Sequence, residues 1–144
     1  MKKVMIIDDD ESFHFLCEML FKRHDESITV LRAYDGEEAL EALRDETVLP
    51  DLILLDINMP RMNGHEFLAA YAERTPSEIP IVAMLTSSDQ DSDRTNALSY
   101  KFVKNYLLKP LRKSDLDSLK QIYRNSLENV SAAVPAGAIN ETAR

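Results

Sequence analysis

The sequence predicts a doubly wound α/β fold, an open five-stranded parallel sheet with helices on both faces. Three observations carry this. Short apolar runs rich in β-branched residues alternate with stretches of helical period from residue 3 to about residue 129, the alternation that βα units produce. The runs are nearly continuous in apolarity, as in "LPDLILLDINMP" (49–60), where Leu52 to Leu55 run unbroken up to Asp56. At 144 residues, with 44% hydrophobic and 29% charged content, the chain is sized for one domain with one core.

The elements follow in order. "KVMII" (3–7) is the first strand, and a helix over 11–24 follows with Asp10 placed to cap it. "ITVLRA" (28–33) is the second strand. It leads into "DGEEALEAL", a helix over 36–45 in which Ala39, Leu40 and Leu43 form an apolar stripe and Asp35 is the N-cap. "DLILL" (51–55) precedes a helix over 64–74, and "IPIVAML" (79–85) precedes one over 89–99. The acidic start of the latter, "DQDSD" (89–93), lacks the central Gly and terminal Glu of a calcium loop and suits the positive end of a helix. "FVKNYLL" (102–108) is the fifth strand. A last helix over 113–129 carries Leu116, Leu119, Ile122, Tyr123 and Leu127 at helical spacing, with Ser114 as its cap. "SAAVPAGAINETAR" (131–144) has no period and many small residues, so residues 1–129 are expected to form the domain and 130–144 a flexible tail.

Composition narrows the function. Twenty-five acidic against 17 basic residues give a net charge of -8, which opposes direct nucleic-acid binding. No apolar run reaches the roughly 20 residues of a membrane span, and the acidic "DDD" at 8–10 cuts short any signal-peptide core. A cytoplasmic protein is expected. The lone Cys17 allows no internal disulfide and no cysteine metal cluster. His14, His24 and His65 lack metal-ligand spacing and are read as packing or surface residues. The six methionines are read as core filler.

In an open parallel sheet all strands end at one edge, where ligands bind. The first strand ends in Asp8 and Asp9, the third in Asp56, the fourth in Thr86 and the fifth in Lys109; the second, ending near Ala33 and Tyr34, brings no such group. A lone aspartate after a strand is usually a helix cap or turn former. Convergence changes that reading. Three carboxylates held together repel unless a cation or raised pKa values relieve them, and carboxylate and carbonyl oxygens are what a hard ion such as Mg2+ prefers. A lysine and a hydroxyl beside such an ion suit a phosphoryl group.

These residues resemble the receiver domain of two-component response regulators, the CheY-like family. The matching stretches are "IIDDD" with Asp8 and Asp9, "LLDINMPRMNG" with Asp56, Pro60 and Gly64, "MLTSS" with Thr86, and "YLLKP" with Tyr106, Lys109 and Pro110. The resemblance implies a flavodoxin-like strand order 2-1-3-4-5 and a stand-alone regulator in a phosphorelay. It implies that Asp56 accepts a phosphoryl group from a sensor histidine kinase or histidine phosphotransfer protein. Asp9, Asp56 and the backbone carbonyl of Asn58 would hold Mg2+ directly, and Asp8 through water. Lys109 would pair with phosphoryl oxygens, Thr86 would turn inward to one of them, and Tyr106 would pass from exposed to buried. The Lys109–Pro110 bond would be cis. Output would leave through the face made by the fourth helix, fifth strand and fifth helix, to a downstream protein, with no membrane and no direct nucleic acid involved. Such a domain phosphorylates and dephosphorylates itself but has no outside substrate. Phe102 and Val103 depart from the Gly-Ala that many receivers carry there, and "YKFVKNYLLKP" is similar to small stand-alone regulators of phytochrome-type kinases.

Rival classes fit less well. A Mg2+-dependent phosphatase of the haloacid-dehalogenase type also forms an aspartyl phosphate, but wants an Asp where this chain has Asn58. A nucleotide-binding domain needs a glycine-rich phosphate loop, and the chain's glycines are Gly36, Gly64 and Gly137. A degenerate scaffold would lack an Asp or the Lys, and none is missing.

Overall fold

The computed structural model describes residues 1–45, 49–74 and 80–133, with side-chain environments through Glu128. The chain runs β1 (Lys3–Ile7), α1 (Glu11–His24), β2 (Thr29–Ala33), α2 (Gly36–Ala42), β3 (Leu52–Leu55), α3 (Gly64–Glu73), β4 (Ile81–Thr86), α4 (Asp91–Leu98), β5 (Val103–Leu108) and α5 (Lys113–Ala133). The strands pair in parallel in the order β2-β1-β3-β4-β5. This is the expected doubly wound sheet.

Alternate residues of each inner strand feed two cores. Met5, Ile7, Ile53, Leu55, Val82 and Met84 pack with Ala39, Leu40 and Leu43 beneath α2 and with Phe67, Leu68 and Tyr71 of α3. Val4, Ile6, Leu52, Leu54, Ala83 and Leu85 pack on the other face with Cys17 and Phe21 of α1 and Leu116 and Leu119 of α5. All four residues of β3 are buried on one face or the other, which explains why that run shows no polar alternation. Burying each such side chain contributes roughly 1.5–3 kcal/mol. That burial is enough to hold an acid rigidly at the strand's end.

The helices start where local chemistry permits. Asp10 accepts the Ser12 and Phe13 amides at the head of α1, and Asp35 accepts that of Glu38 at the head of α2. Asn63 and Glu66 form a reciprocal capping box for α3. Ser114 is not the cap of α5. It lies inside the helix, and the Arg112 amide instead donates to the Asp115 carboxylate at 2.9 Å.

Other boundaries differ by a few residues. β4 starts at Ile81 because Pro80 has no N–H for the ladder, and Ile79, expected in that strand, lies outside the described residues. α2 stops at Ala42, short of residue 45. α5 continues to Ala133, four residues into the stretch read as a tail. Its last turn, "VSAA", holds two strong helix formers and no breaker; the rest of that tail, 134–144, lies outside the described residues. Leu127 is 50% exposed, one turn beyond the contacts made by Ile122 and Tyr123. Among the described residues no helix is long and apolar enough to cross a membrane.

Candidate functional site

The carboxyl edge of the sheet collects the polar strand ends. Asp56 follows β3, and its amide still donates to the Ile7 carbonyl (3.0 Å), so the ladder holds its backbone. Its side chain is nearly buried; Oδ1 accepts from the Ile57 amide (2.8 Å) and Oδ2 from Lys109 Nζ (3.3 Å). Asp8, buried after β1, accepts the Asp10 amide on Oδ1 at 2.9 Å, and its Oδ2 lies 2.7 Å from Lys109 Nζ. Asp9 is exposed at the rim. Carboxylate oxygens of Asp8, Asp9 and Asp56 all lie within 4.8 Å of one another. Asn58 is exposed in the loop two residues past Asp56.

Lys109 follows β5, and its amide donates to the Thr86 carbonyl (2.8 Å). The Lys109–Pro110 bond is cis. Burial works against the charge on Lys109, but Asp8 and Asp56 outweigh it and hold the ammonium above its usual pKa. For Asp8 burial dominates and pushes the carboxyl up, with the Lys109 contact and the Asp10 amide only partly offsetting it. One ammonium pairs with two of the three clustered carboxylates, Asp8 and Asp56. Asp8 Oδ2, although close to Lys109 Nζ, has no partner in hydrogen-bond geometry among the described residues. A buried anionic oxygen with spare coordination, inside an oxygen-only donor set, fits a divalent hard cation such as Mg2+.

Gly64 closes the far wall. A Cβ there would stand 2.4 Å from the Asp56 carbonyl oxygen and 2.8 Å from Ile57 Cα, both backbone atoms that cannot swing away. Gly64→Ala is therefore expected to destabilise the domain by about 1–3 kcal/mol and to displace the Asp56 loop. Denaturant unfolding checks the first effect; an unchanged midpoint would show that the loop yields freely.

Thr86, fully buried at the end of β4, accepts the Ser88 amide on its hydroxyl oxygen at 3.2 Å. Tyr106 on β5 is 6% exposed, and its hydroxyl donates to the Ser88 carbonyl at 2.9 Å. The Arg94 guanidinium lies 4.5 Å over its ring. Tyr106 is thus buried in this structure.

Sequence reasoning missed several neighbours. The Phe13 ring lies 4.2 Å from Lys109 Nζ; its place three residues after the N-cap Asp10, on the same edge, was the available signal. Ser88 donates its hydroxyl to Asp93, and Asp93 also pairs with His65 Nε2 at 2.8 Å, tying α3 to α4. Hydrogen bonds from Ser88 and His65 hold the Asp93 carboxyl below the usual range. Among the described residues no histidine joins the acidic cluster.

A parallel sheet of this order, with acids and a lysine gathered at its carboxyl edge, defines a receiver, a class of signalling module and not a classical enzyme. The chain belongs to the response regulator receiver domain family, whose profile matches residues 4–121. It is 35% identical over 127 residues to the transcriptional regulatory protein CpxR of Escherichia coli, covering 88% of this chain and 51% of that protein. It is 33% identical over 126 residues to the alkaline phosphatase synthesis transcriptional regulatory protein PhoP of Bacillus subtilis, covering 87% of this chain and 50% of that one. The chain thus spans about half the length of these curated relatives. A two-component response regulator from Cytophaga hutchinsonii superposes with a TM-score of 0.80 at 27% identity, covering 87% of this chain and 98% of the other. Phosphorylation-controlled signalling in a two-component system is the function of the class, and it implies a kinase or phosphotransfer partner. The phosphatase alternative is not favoured.

Proposed function

We propose that Asp56 is the phosphoacceptor of this receiver and that Asp8, Asp9, Asp56 and the Asn58 carbonyl hold Mg2+. The observation that carries the reading is the Asp56 carboxylate at a strand end, 3.3 Å from Lys109 Nζ and within the 4.8 Å acidic cluster. An Asp56 carboxylate oxygen attacks the phosphorus of a phosphohistidine on the partner. The new P–O bond forms as the P–N bond breaks, and the histidine nitrogen leaves with the electron pair. A divalent cation held by Asp8, Asp9, Asp56 and the Asn58 carbonyl would supply neutralisation of phosphoryl charge. Lys109, anchored through its amide to Thr86, is placed to meet a phosphoryl oxygen, and the rigid ladder under Asp56 supplies the in-line positioning. Self-dephosphorylation is attack of a water oxygen on the same phosphorus: the P–O bond to Asp56 breaks, the carboxylate leaves with the electron pair, and inorganic phosphate is released.

Output is read as protein contact in the cytoplasm, where ATP-dependent histidine phosphorylation occurs. Leu98 of α4 and Leu108 of β5 are large apolar side chains left 44% and 43% exposed, which supports the α4–β5–α5 face as the docking surface. The net charge of -8 supports a protein target over nucleic acid.

Acetyl phosphate with Mg2+ should label the purified chain, and chelation should abolish labelling; labelling indifferent to the metal would count against the cation reading. Asp9→Ala should melt no lower than wild type without metal, since it removes one of three mutually repelling charges. It should also weaken Mg2+ binding by at least about tenfold, in line with losing a charged ligand. Calorimetric titration decides, and an unchanged affinity would remove Asp9 from the site.

A further inference from the structure

We infer that His14 is a positioning residue for the cation site, a role that rests on the reading of Asp8, Asp9 and Asp56 given above. His14 is fully buried on α1, and its Nε2 lies 2.7 Å from the Asp8 carbonyl oxygen. A carbonyl only accepts, so Nε2 carries a proton; among the described residues Nδ1 has no hydrogen-bond partner.

His14 donates to the Asp8 carbonyl, and four nearby amides are committed elsewhere. The Asp10 amide goes to Asp8 Oδ1, those of Ser12 and Phe13 to Asp10 Oδ1, and that of His14 to the Asp10 carbonyl. The strand has ended and the helix has not yet begun. His14 fills that gap and fixes the turn that carries both Asp8 and Asp9.

The ring is itself held. Tyr34, just past β2, packs on it with centroids 4.6 Å apart, and the Tyr34 hydroxyl donates to Glu11 at 3.2 Å and accepts from Arg32 at 3.4 Å. Arg32 also pairs with Glu11 at 3.0 Å and Glu18 at 2.8 Å. The strand that brings no charged group to the edge thereby acts on it through Tyr34 and His14. Supports of this kind orient ligands without touching the ion.

The test uses the full chain and Mg2+ alone, with dissociation constants from NMR titration. His14→Phe keeps a ring against Tyr34 but removes the donor, and its Mg2+ dissociation constant should rise at least about tenfold. His14→Gln, which places an amide N–H near Nε2, should stay within about threefold of wild type, and Tyr34→Leu should fall between the two. Histidine 15N shifts should show the Nε2–H tautomer. Equal affinity in wild type and folded His14→Phe, or a protonated Nδ1 with bare Nε2, would overturn the inference. If His14→Phe does not fold, a tenfold loss in His14→Gln or no loss in Tyr34→Leu would overturn it equally. Failure of wild type to bind Mg2+ would strike the cation reading itself and the positioning role with it, whereas failure of the positioning role alone leaves wild-type binding intact.

Discussion

Asp56→Asn is expected to fold as wild type and to accept no phosphoryl group. The exchange is nearly isosteric at a site 6% exposed, and the amide hydrogen bonds that hold the backbone, to Ile7 and from Ile57, do not require the charge. A neutral amide oxygen is a poor nucleophile and a poor cation ligand, so labelling should fall below about one-hundredth of wild type, more than 2.7 kcal/mol in barrier. Radiolabel from a cognate kinase or acetyl phosphate measures it. Labelling equal to wild type would place the acceptor elsewhere.

Thr86→Ala is expected to keep phosphorylation and lose its consequence. Thr86 and Tyr106 both converge on Ser88, the first through the Ser88 amide and the second through its carbonyl. A phosphoryl oxygen that draws the Thr86 hydroxyl toward Asp56 disturbs the same short segment on which Tyr106 closes. The Tyr106 ring is already buried here; its burial is worth roughly 1.5–3 kcal/mol, so gaining or losing that closure through Ser88 moves a two-state population more than about tenfold. Preference of a binding partner for the phosphorylated form should therefore shrink at least about fivefold in Thr86→Ala, with labelling near wild type. Beryllofluoride, which mimics the phosphoryl group on an aspartate, checks the same point without a kinase. In wild type its addition should shift amides in residues 89–120; in Thr86→Ala the shifts should stay around Asp56. Shifts of equal reach in both proteins would exclude Thr86 as the coupling residue.

The sheet was legible because its signals are local and strong. β1 and α1 fall on their expected residues, and the Asp10 and Asp35 caps make the predicted bonds. The convergence of Asp8, Asp9, Asp56 and Lys109 follows from topology alone, since parallel strands must end on one edge. Details that rest on tertiary competition were less legible. Ser114 is a good cap by type, yet the helix starts before it, at Lys113, with Asp115 accepting the Arg112 amide at its head. Leu127 keeps the helical spacing of Leu119 but lies past the core. Phe13 over Lys109, His14 on the Asp8 carbonyl and the Ser88–Asp93–His65 link are contacts between elements. They depend on how a helix is rotated against the sheet, which periodicity constrains only to a face.

The most direct test of the central claim is chemical mapping of the phosphoryl group. Wild-type protein treated with acetyl phosphate and Mg2+ should gain the mass of one phosphoryl group and lose it in mild base, as an acyl phosphate does. Borohydride reduction before proteolysis converts an aspartyl phosphate to homoserine, and fragment masses then locate it. Homoserine is expected at position 56 and at no other aspartate. Homoserine at Asp8 or Asp9, or a base-stable phosphoryl group on a serine or threonine, would contradict it.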